Sequence, residues 1–367
     1  MRRPLTTLTR LAAVSLPLAL LATGCGGTSP AAVDGGTCKD VSVSVGNVNS
    51  ASDAPMYIAA AKGYFKEEGL NIDFKSFDSA AKMVAPLGSG DLDVGGGAPS
   101  AGFYNAVARG VDLKVVADKG TMNEDFTYMP LMVRKDLVDS GQVKTLEDLR
   151  GRTIAEPAQL TATASTLASM LEAGGMKYND VKHTFLGFGE HLATFSNGGI
   201  DASLTTEPSA TLIEKAGVAV RFDSPPKHHG DQQLAVILYS SQFAENKKAA
   251  TCFMKGYVRG VRDYVDAFED GRLGTAKADE IVKIVTDATG MKPELYRQVV
   301  PNYINPSGKL NLESLQKDYD FFLAQKAIEG KPVPLDSIVD TSFVEAAVAE
   351  LGEYTEKAPS AAGKTAP

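Results

Sequence analysis

The sequence predicts an α/β protein of two lobes, and three observations carry that expectation. Strand-like and helix-like segments alternate from Val41 to Ala117, the alternation restarts at Tyr128, and one long amphipathic helix follows the last strand. At 367 residues, 44% hydrophobic and 22% charged, the chain has the makeup of a soluble globular protein with room for two domains. Its formal charge of −8 lacks the basic excess that phosphate backbones demand, so nucleic acid is not expected as a partner.

Each element has its own signal. Val41 to Val45 alternates as a strand, and Pro55 to Phe65 carries Met56, Ile58, Ala59 and Phe65 in a helical rhythm closed by Gly69. Leu70 to Phe74 reads as a strand, Ala80 to Leu87 as a helix, Leu92 to Val94 as a short strand, Ser100 to Ala108 as a helix and Leu113 to Ala117 as a strand. That alternation implies a parallel sheet. After an irregular stretch from Gly120 to Thr127, strands are expected at Tyr128 to Arg134, Thr153 to Ala155, near Phe185 and at Ala202 to Leu204, with a helix from Ala162 to Ala173. Gln232 to Tyr239 is the last strand. Phe253, Tyr257, Val261, Tyr264, Val265 and Phe268 then recur at helical spacing, a stripe that belongs to a core.

The ends differ in character. Arg2, Arg3 and Arg10 precede an apolar run from Leu11 to Ala22, too short to span a bilayer, which reads as a secretory signal. The run closes Leu21-Ala22-Thr23-Gly24-Cys25, which resembles a bacterial lipobox and implies acylation of Cys25; the alternative is cleavage by the ordinary secretory peptidase. Without residues 1–24 the chain carries 34 bases against 45 acids, a net −11. Gly26 to Thr37 has the small-residue makeup of a tether, and the Ala/Pro/Ser/Lys stretch from Lys357 reads as a tail. In an oxidising compartment Cys38 and Cys252 either form a disulfide or stand as two thiols, and spacing alone leaves both open.

Motifs of catalysis are missing from the sequence: there is no G-x-S-x-G, no G-x-x-x-x-G-K-[ST] and no H-E-x-x-H. His183, His191, His228 and His229 lack a metal spacing and are expected at the surface. Neither metal nor cofactor is called for. Two segments suit binding instead. Gly95-Gly96-Gly97-Ala98-Pro99-Ser100 lets backbone approach a ligand ahead of a helix start, and Glu156 to Thr163 is a second strand end, polar loop and helix start. Both sit at the carboxyl ends of strands, which suggests a cleft between the lobes.

Several motifs in order make a family resemblance specific. The segments APMYIAAAKGYFKEEGLNIDF (54–74), LGSGDLDVGGGAPSAGFYNAVARGVDLKVVA (87–117), LMVRKD (131–136), TLEDLRGRTIAEP (145–157), GIDASLTTEP (199–208), NPSGKLNLESLQKDYDFFLAQ (305–325) and VPLDSIVDTSFVEAAVAELG (333–352) resemble the nitrate, sulfonate and taurine group of ABC-transporter substrate-binding proteins. The thiamine-pyrimidine precursor binders belong to the same superfamily. The resemblance implies the two-lobed periplasmic-binding-protein type 2 fold, with two crossing strands near Tyr128 to Val133 and Gln233 to Leu238 and a cleft between lobes. Its domain plan is a signal peptide at 1–24, a lipidated tether at 25–37, a discontinuous first lobe at 38–127 plus 234–352, a second lobe at 128–233 and a tail at 353–367.

It also implies the ligand set Asn47, Ser50, Asp53, Met56, Ala98, Ser100, Gln159, Thr161, Thr163 and Glu207. The partners implied are a small organic solute, an ABC permease with its ATPase and the membrane through the lipid, with the protein a monomer on the extracytoplasmic face. Asp53 and Glu207 favour a cation or N–H donor while helix starts favour anions, so a zwitterionic aminosulfonate or an amino-substituted heteroaromatic ring would suit both. The alternative is an enzyme on the same fold, desulfinase-like or thiamine-pyrimidine-synthase-like, which would need a reactive cysteine.

Overall fold

The computed structural model describes residues 38–355. The expected signal peptide, Cys25 and the tether to Thr37 lie outside the described residues, as does the tail beyond residue 355. Ten strands build two sheets: β1 (Val41–Asn47), β2 (Leu70–Ser76), β3 (Val94–Gly97), β4 (Lys114–Met122), β5 (Leu131–Arg134), β6 (Thr153–Glu156), β7 (Lys182–Phe185), β8 (Ala202–Leu204), β9 (Ala219–Asp223) and β10 (Gln232–Tyr239). One sheet has the order β2-β1-β3-β10-β4 and the other β7-β6-β8-β5-β9, each flanked by helices. The fold is two-lobed α/β.

Both sheets are mixed, where simple alternation implies parallel pairing. β1 runs parallel to β2 and β3, and β6 parallel to β7 and β8. β10 is antiparallel to β3 and β4, and β5 to β8 and β9. These reversed strands are the two that the chain enters from the other sheet rather than by a βαβ crossover within their own. The passages themselves, 123–130 and 224–231, lie between β4 and β5 and between β9 and β10. All eight residues of β10 are buried, as befits a strand near the middle of its sheet.

Other boundaries moved. The third strand covers Val94–Gly97, so the glycine run is strand rather than loop, and β4 continues to Met122 through residues expected to be irregular. Pairing with β10, Gln232 opposite Met122 and Gln233 opposite Thr121, holds that extension in the sheet. The apolar stripe does form a helix, Lys247–Val265, with Phe253, Tyr257, Val261 and Tyr264 fully buried. Phe268 lies past its end in a hairpin of Phe268–Glu269 with Arg272–Leu273. Gly260 lets this helix close on helix Ala54–Ala61: a Cβ there would stand 2.3 Å from the Pro55 carbonyl oxygen. Cys38 and Cys252 are joined by a disulfide across a separation of 214 residues, their Cα atoms 6.5 Å apart. No helix among the described residues is long and apolar enough to cross a membrane.

Candidate ligand-binding site

The loops that leave the strands converge on one cavity. Val48, Ser50 and Ser52 follow β1, Ser79 and Ala80 follow β2, and Gly97 and Ala98 end β3. From the second sheet come Pro157, Thr161 and Thr163 after β6, Phe188 after β7 and Thr206 after β8. Tyr128 and Met129 from one crossing passage and Leu234 and Ala235 from β10 complete the wall. The space free of protein atoms is about 510 Å³, part of it open solvent.

The turn after β1 is organised from behind. Asp53 Oδ2 accepts from the Ser50 amide at 2.8 Å and the Val48 amide at 3.3 Å, while Oδ1 faces Lys119 Nζ at 2.8 Å. Lys119 also donates to Ser52 Oγ at 2.7 Å, and Ser50 Oγ lies 2.9 Å from Ser52 Oγ. Both ionic side chains are fully buried. Glycine makes room for them: a Cβ on Gly96 would sit 2.6 Å from Lys119 Cε, and one on Gly97 would sit 2.5 Å from Ala80 Cβ.

Across the cavity, the helix Ala162–Ala173 begins at Thr161, whose Oγ1 is 2.5 Å from Thr163 Oγ1. The preceding Leu160 has a φ of 50°, a left-handed conformation that costs a branched residue roughly 1 kcal/mol or more. It turns the Leu160 carbonyl toward the Ala101 amide, which donates at 2.9 Å, so Ser100 and Thr161 pair as a bridge between the two halves. A second direct link joins the Ala51 amide to the Glu207 carbonyl at 2.8 Å. Tyr128 is buried beside the cavity, and burial, followed by the nearby Asp118 and Asp53 charges, pushes its phenol well above the usual value.

Of the ten residues that the family resemblance implies, Ser50, Ala98, Thr161 and Thr163 line the cavity. The others lie elsewhere. Asn47 is buried and accepts from Ser76 Oγ at 3.3 Å; Met56 is fully buried in the core; Gln159 is exposed. Ser100 caps its helix, accepting from the Phe103 amide at 3.2 Å. Asp53 acts through the turn that it holds. Glu207 accepts from Arg221, from the Thr211 amide at 3.0 Å and from the Val300 amide at 3.3 Å. Lys119, Thr206, Phe188 and Met129 carried no sequence signal, although Thr206 adjoins the singled-out Glu207.

The histidines are a correction, because His191 and His229 are buried rather than at the surface. His191 Nδ1 is bonded to Thr205 Oγ1 at 2.7 Å and its Nε2 to the Leu186 carbonyl at 3.0 Å, which removes the cost of burying a polar ring. His183 is partly buried against Glu156. Among the described residues no group of three or more His, Cys, Asp or Glu side chains is placed to hold a metal ion.

A fold of two strand-and-helix lobes with such a cavity defines the class of two-lobed solute-binding folds, and comparison with known proteins makes the family specific. The chain belongs to the NMT1/THI5-like family, whose model matches residues 50–268. It is 29% identical over 230 residues to the taurine-binding periplasmic protein of Escherichia coli K12, covering 61% of this chain and 67% of that protein. It is 23% identical over 249 residues to the riboflavin-binding protein RibY of Chloroflexus aurantiacus, 62% of this chain and 63% of that one. The chain therefore spans about two thirds of the length of these curated relatives. The alkanesulfonate-binding protein SsuA of Xanthomonas axonopodis pv. citri, bound to MOPS, superposes with a TM-score of 0.65 at 16% identity, over 83% of this chain and 99% of SsuA.

Proposed function

We propose that this protein is the solute-binding component of an ABC import system, which captures a small organic solute outside the cytoplasm and delivers it to a permease. The observation that carries the reading is the cavity itself, walled by strand-end loops of both sheets and bridged directly at Ala101–Leu160 and Ala51–Glu207. Residues 38–127 with 234–352 form the first lobe and 128–233 the second, and ligand selects the population in which the bridges are made. Ser50, Ala98, Thr161 and Thr163 contact the ligand, while Asp53 and Ser100 hold their loops in place. Acylation at Cys25 keeps the mature monomer on the membrane. The disulfide supports an oxidising, extracytoplasmic setting.

Relatives named for taurine, riboflavin and alkanesulfonate binding support a small-molecule cargo. Against the enzyme alternative, Cys38 and Cys252 are joined to each other and neither lines the cavity. A Ser-His-Asp grouping does occur, Ser165 with His229 and Asp318. There both the serine oxygen, at 3.3 Å, and the aspartate oxygen, at 3.5 Å, meet the same ring nitrogen Nε2, which is not the arrangement of a proton relay. A thermal-shift and calorimetric screen of sulfonates, nitrate, pyrimidines and aromatic acids tests the reading. One or more should raise the melting temperature and bind at a single site. A flat response to the whole panel would sink it.

A further inference from the structure

We propose that the cavity is built for an uncharged ligand: a mostly apolar molecule with a hydrogen-bonding group that meets Thr206. The inference rests on the solute-binding reading and narrows its ligand class. No Asp, Glu, Lys, Arg or His is among the residues lining the cavity. The ionic groups adjoining Ser52 and Thr206 have charged partners. Asp53 and Lys119 neutralise each other at 2.8 Å, and Glu207 is held by Arg221. An ion brought into this space would leave water without a countercharge, which costs far more than burying a neutral polar group.

Several backbone donors at the rim are already spent, while the first-turn amides of helix Ala162–Ala173 have no side-chain cap. The Ala51 and Ala101 amides are used in the links between the halves, the Ser50 amide on Asp53 and the Phe103 amide on Ser100 Oγ. The polar groups left on a largely apolar wall are hydroxyls: the Ser50–Ser52 and Thr161–Thr163 pairs bond each other, and Ser79, Tyr128 and Thr206 also line the space. Thr206 Oγ1 is buried, lines the cavity and has no hydrogen-bond partner in the protein. A buried hydroxyl without a partner is disfavoured, so its place on this wall points to a partner on the ligand. Ser52 Oγ accepts from the Lys119 ammonium and lies 2.9 Å from Ser50 Oγ, so the two serines form one polarised hydroxyl pair on the wall. Met129, Phe188 and Leu234 supply apolar surface for the rest of the molecule.

The test uses matched probes that differ in charge: nicotinamide against nicotinate, benzamide against benzenesulfonate, and thymine against orotate, with taurine and ethanesulfonate added. Isothermal calorimetry on the mature protein should show a neutral member binding at least ~30-fold more tightly than its anionic partner, with an affinity unchanged between low and high salt. Thr206→Val should weaken that binding roughly 10-fold, the scale of one lost hydrogen bond, and Thr206→Ser should restore it. If the anionic members bind more tightly, or Thr206→Val binds a neutral probe as well as the wild type while folding normally, the uncharged-ligand proposal falls and the solute-binding reading stands. If no probe of either charge binds, both fall together.

Discussion

Lys119 Nζ lies 2.8 Å from Asp53 Oδ1 with neither side chain exposed, so a complete ion pair stands directly behind the wall of the cavity. The pair joins β4 to the turn after β1, and its stability is that of two charges that compensate each other in a medium where neither is tolerated alone.

Replacing Lys119 by Met therefore strands the Asp53 carboxylate. We expect a loss of about 3–5 kcal/mol in urea denaturation, with most of it recovered in the double variant Asp53→Asn, Lys119→Met, which removes both charges. Equal destabilisation of the single and double variants would show that packing of the lysine stem, not charge, dominates.

Gly260 makes the second prediction. A Cβ at that position meets Pro55 O at 2.3 Å and Ala59 Cβ at 2.9 Å, and the first of these is backbone that cannot rotate away. Gly260→Ala gains helix propensity yet forces two buried helices apart, so a net loss of roughly 1–3 kcal/mol is expected. Thermal melting of this variant checks it, and a rise in melting temperature would refute the close contact.

These two sites show what the sequence made legible. The spacing of Phe253, Tyr257, Val261 and Tyr264 was enough to read a buried helix face, because helical periodicity is local. The glycine run and the Leu160 to Thr163 loop were readable as close-approach and helix-start chemistry for the same reason. Asp53 and Glu207 were legible as acids at a cleft only through the family resemblance, and their burial and their partners Lys119 and Arg221 were not. Ion pairing depends on which strands neighbour each other, and the reversed strands β5 and β10 set that order. Strand β9 was missed, since Ala219–Asp223 is short and only half-buried.

The disulfide makes the third prediction. It closes a separation of 214 residues, and restricting so long a loop in the unfolded chain is worth about 5 kcal/mol in the chain-entropy model, with measured values commonly 2–4. The double variant Cys38→Ala, Cys252→Ala should lose stability in that range while the single-site ligand stoichiometry is kept, because neither cysteine lines the cavity. Loss of all ligand binding in a folded double variant would place the bond in the binding machinery instead.

His183, on β7, and His191, at the start of helix His191–Ser196, should respond to pH with opposite signs. For His183, burial works against the charged ring, but the hydrogen bond from Nδ1 to Glu156 Oε1 at 2.8 Å and the charge of that carboxylate outweigh it, so its pKa is raised. Its contribution is fully present below the ordinary value near 6.5 and is lost as pH rises through the raised folded value. For His191, burial dominates and pushes the pKa down to about 4. The unfolded chain then takes up a proton between about 6.5 and 4 that the folded chain refuses, and stability falls across that window by up to roughly 3 kcal/mol. Urea denaturation of His183→Gln and His191→Gln from pH 4.5 to 9 measures both. The stability advantage of wild type over His183→Gln should grow toward acid, whereas its advantage over His191→Gln should shrink toward acid. Parallel curves for the two variants would mean that neither ring is coupled to folding in the way its partners dictate.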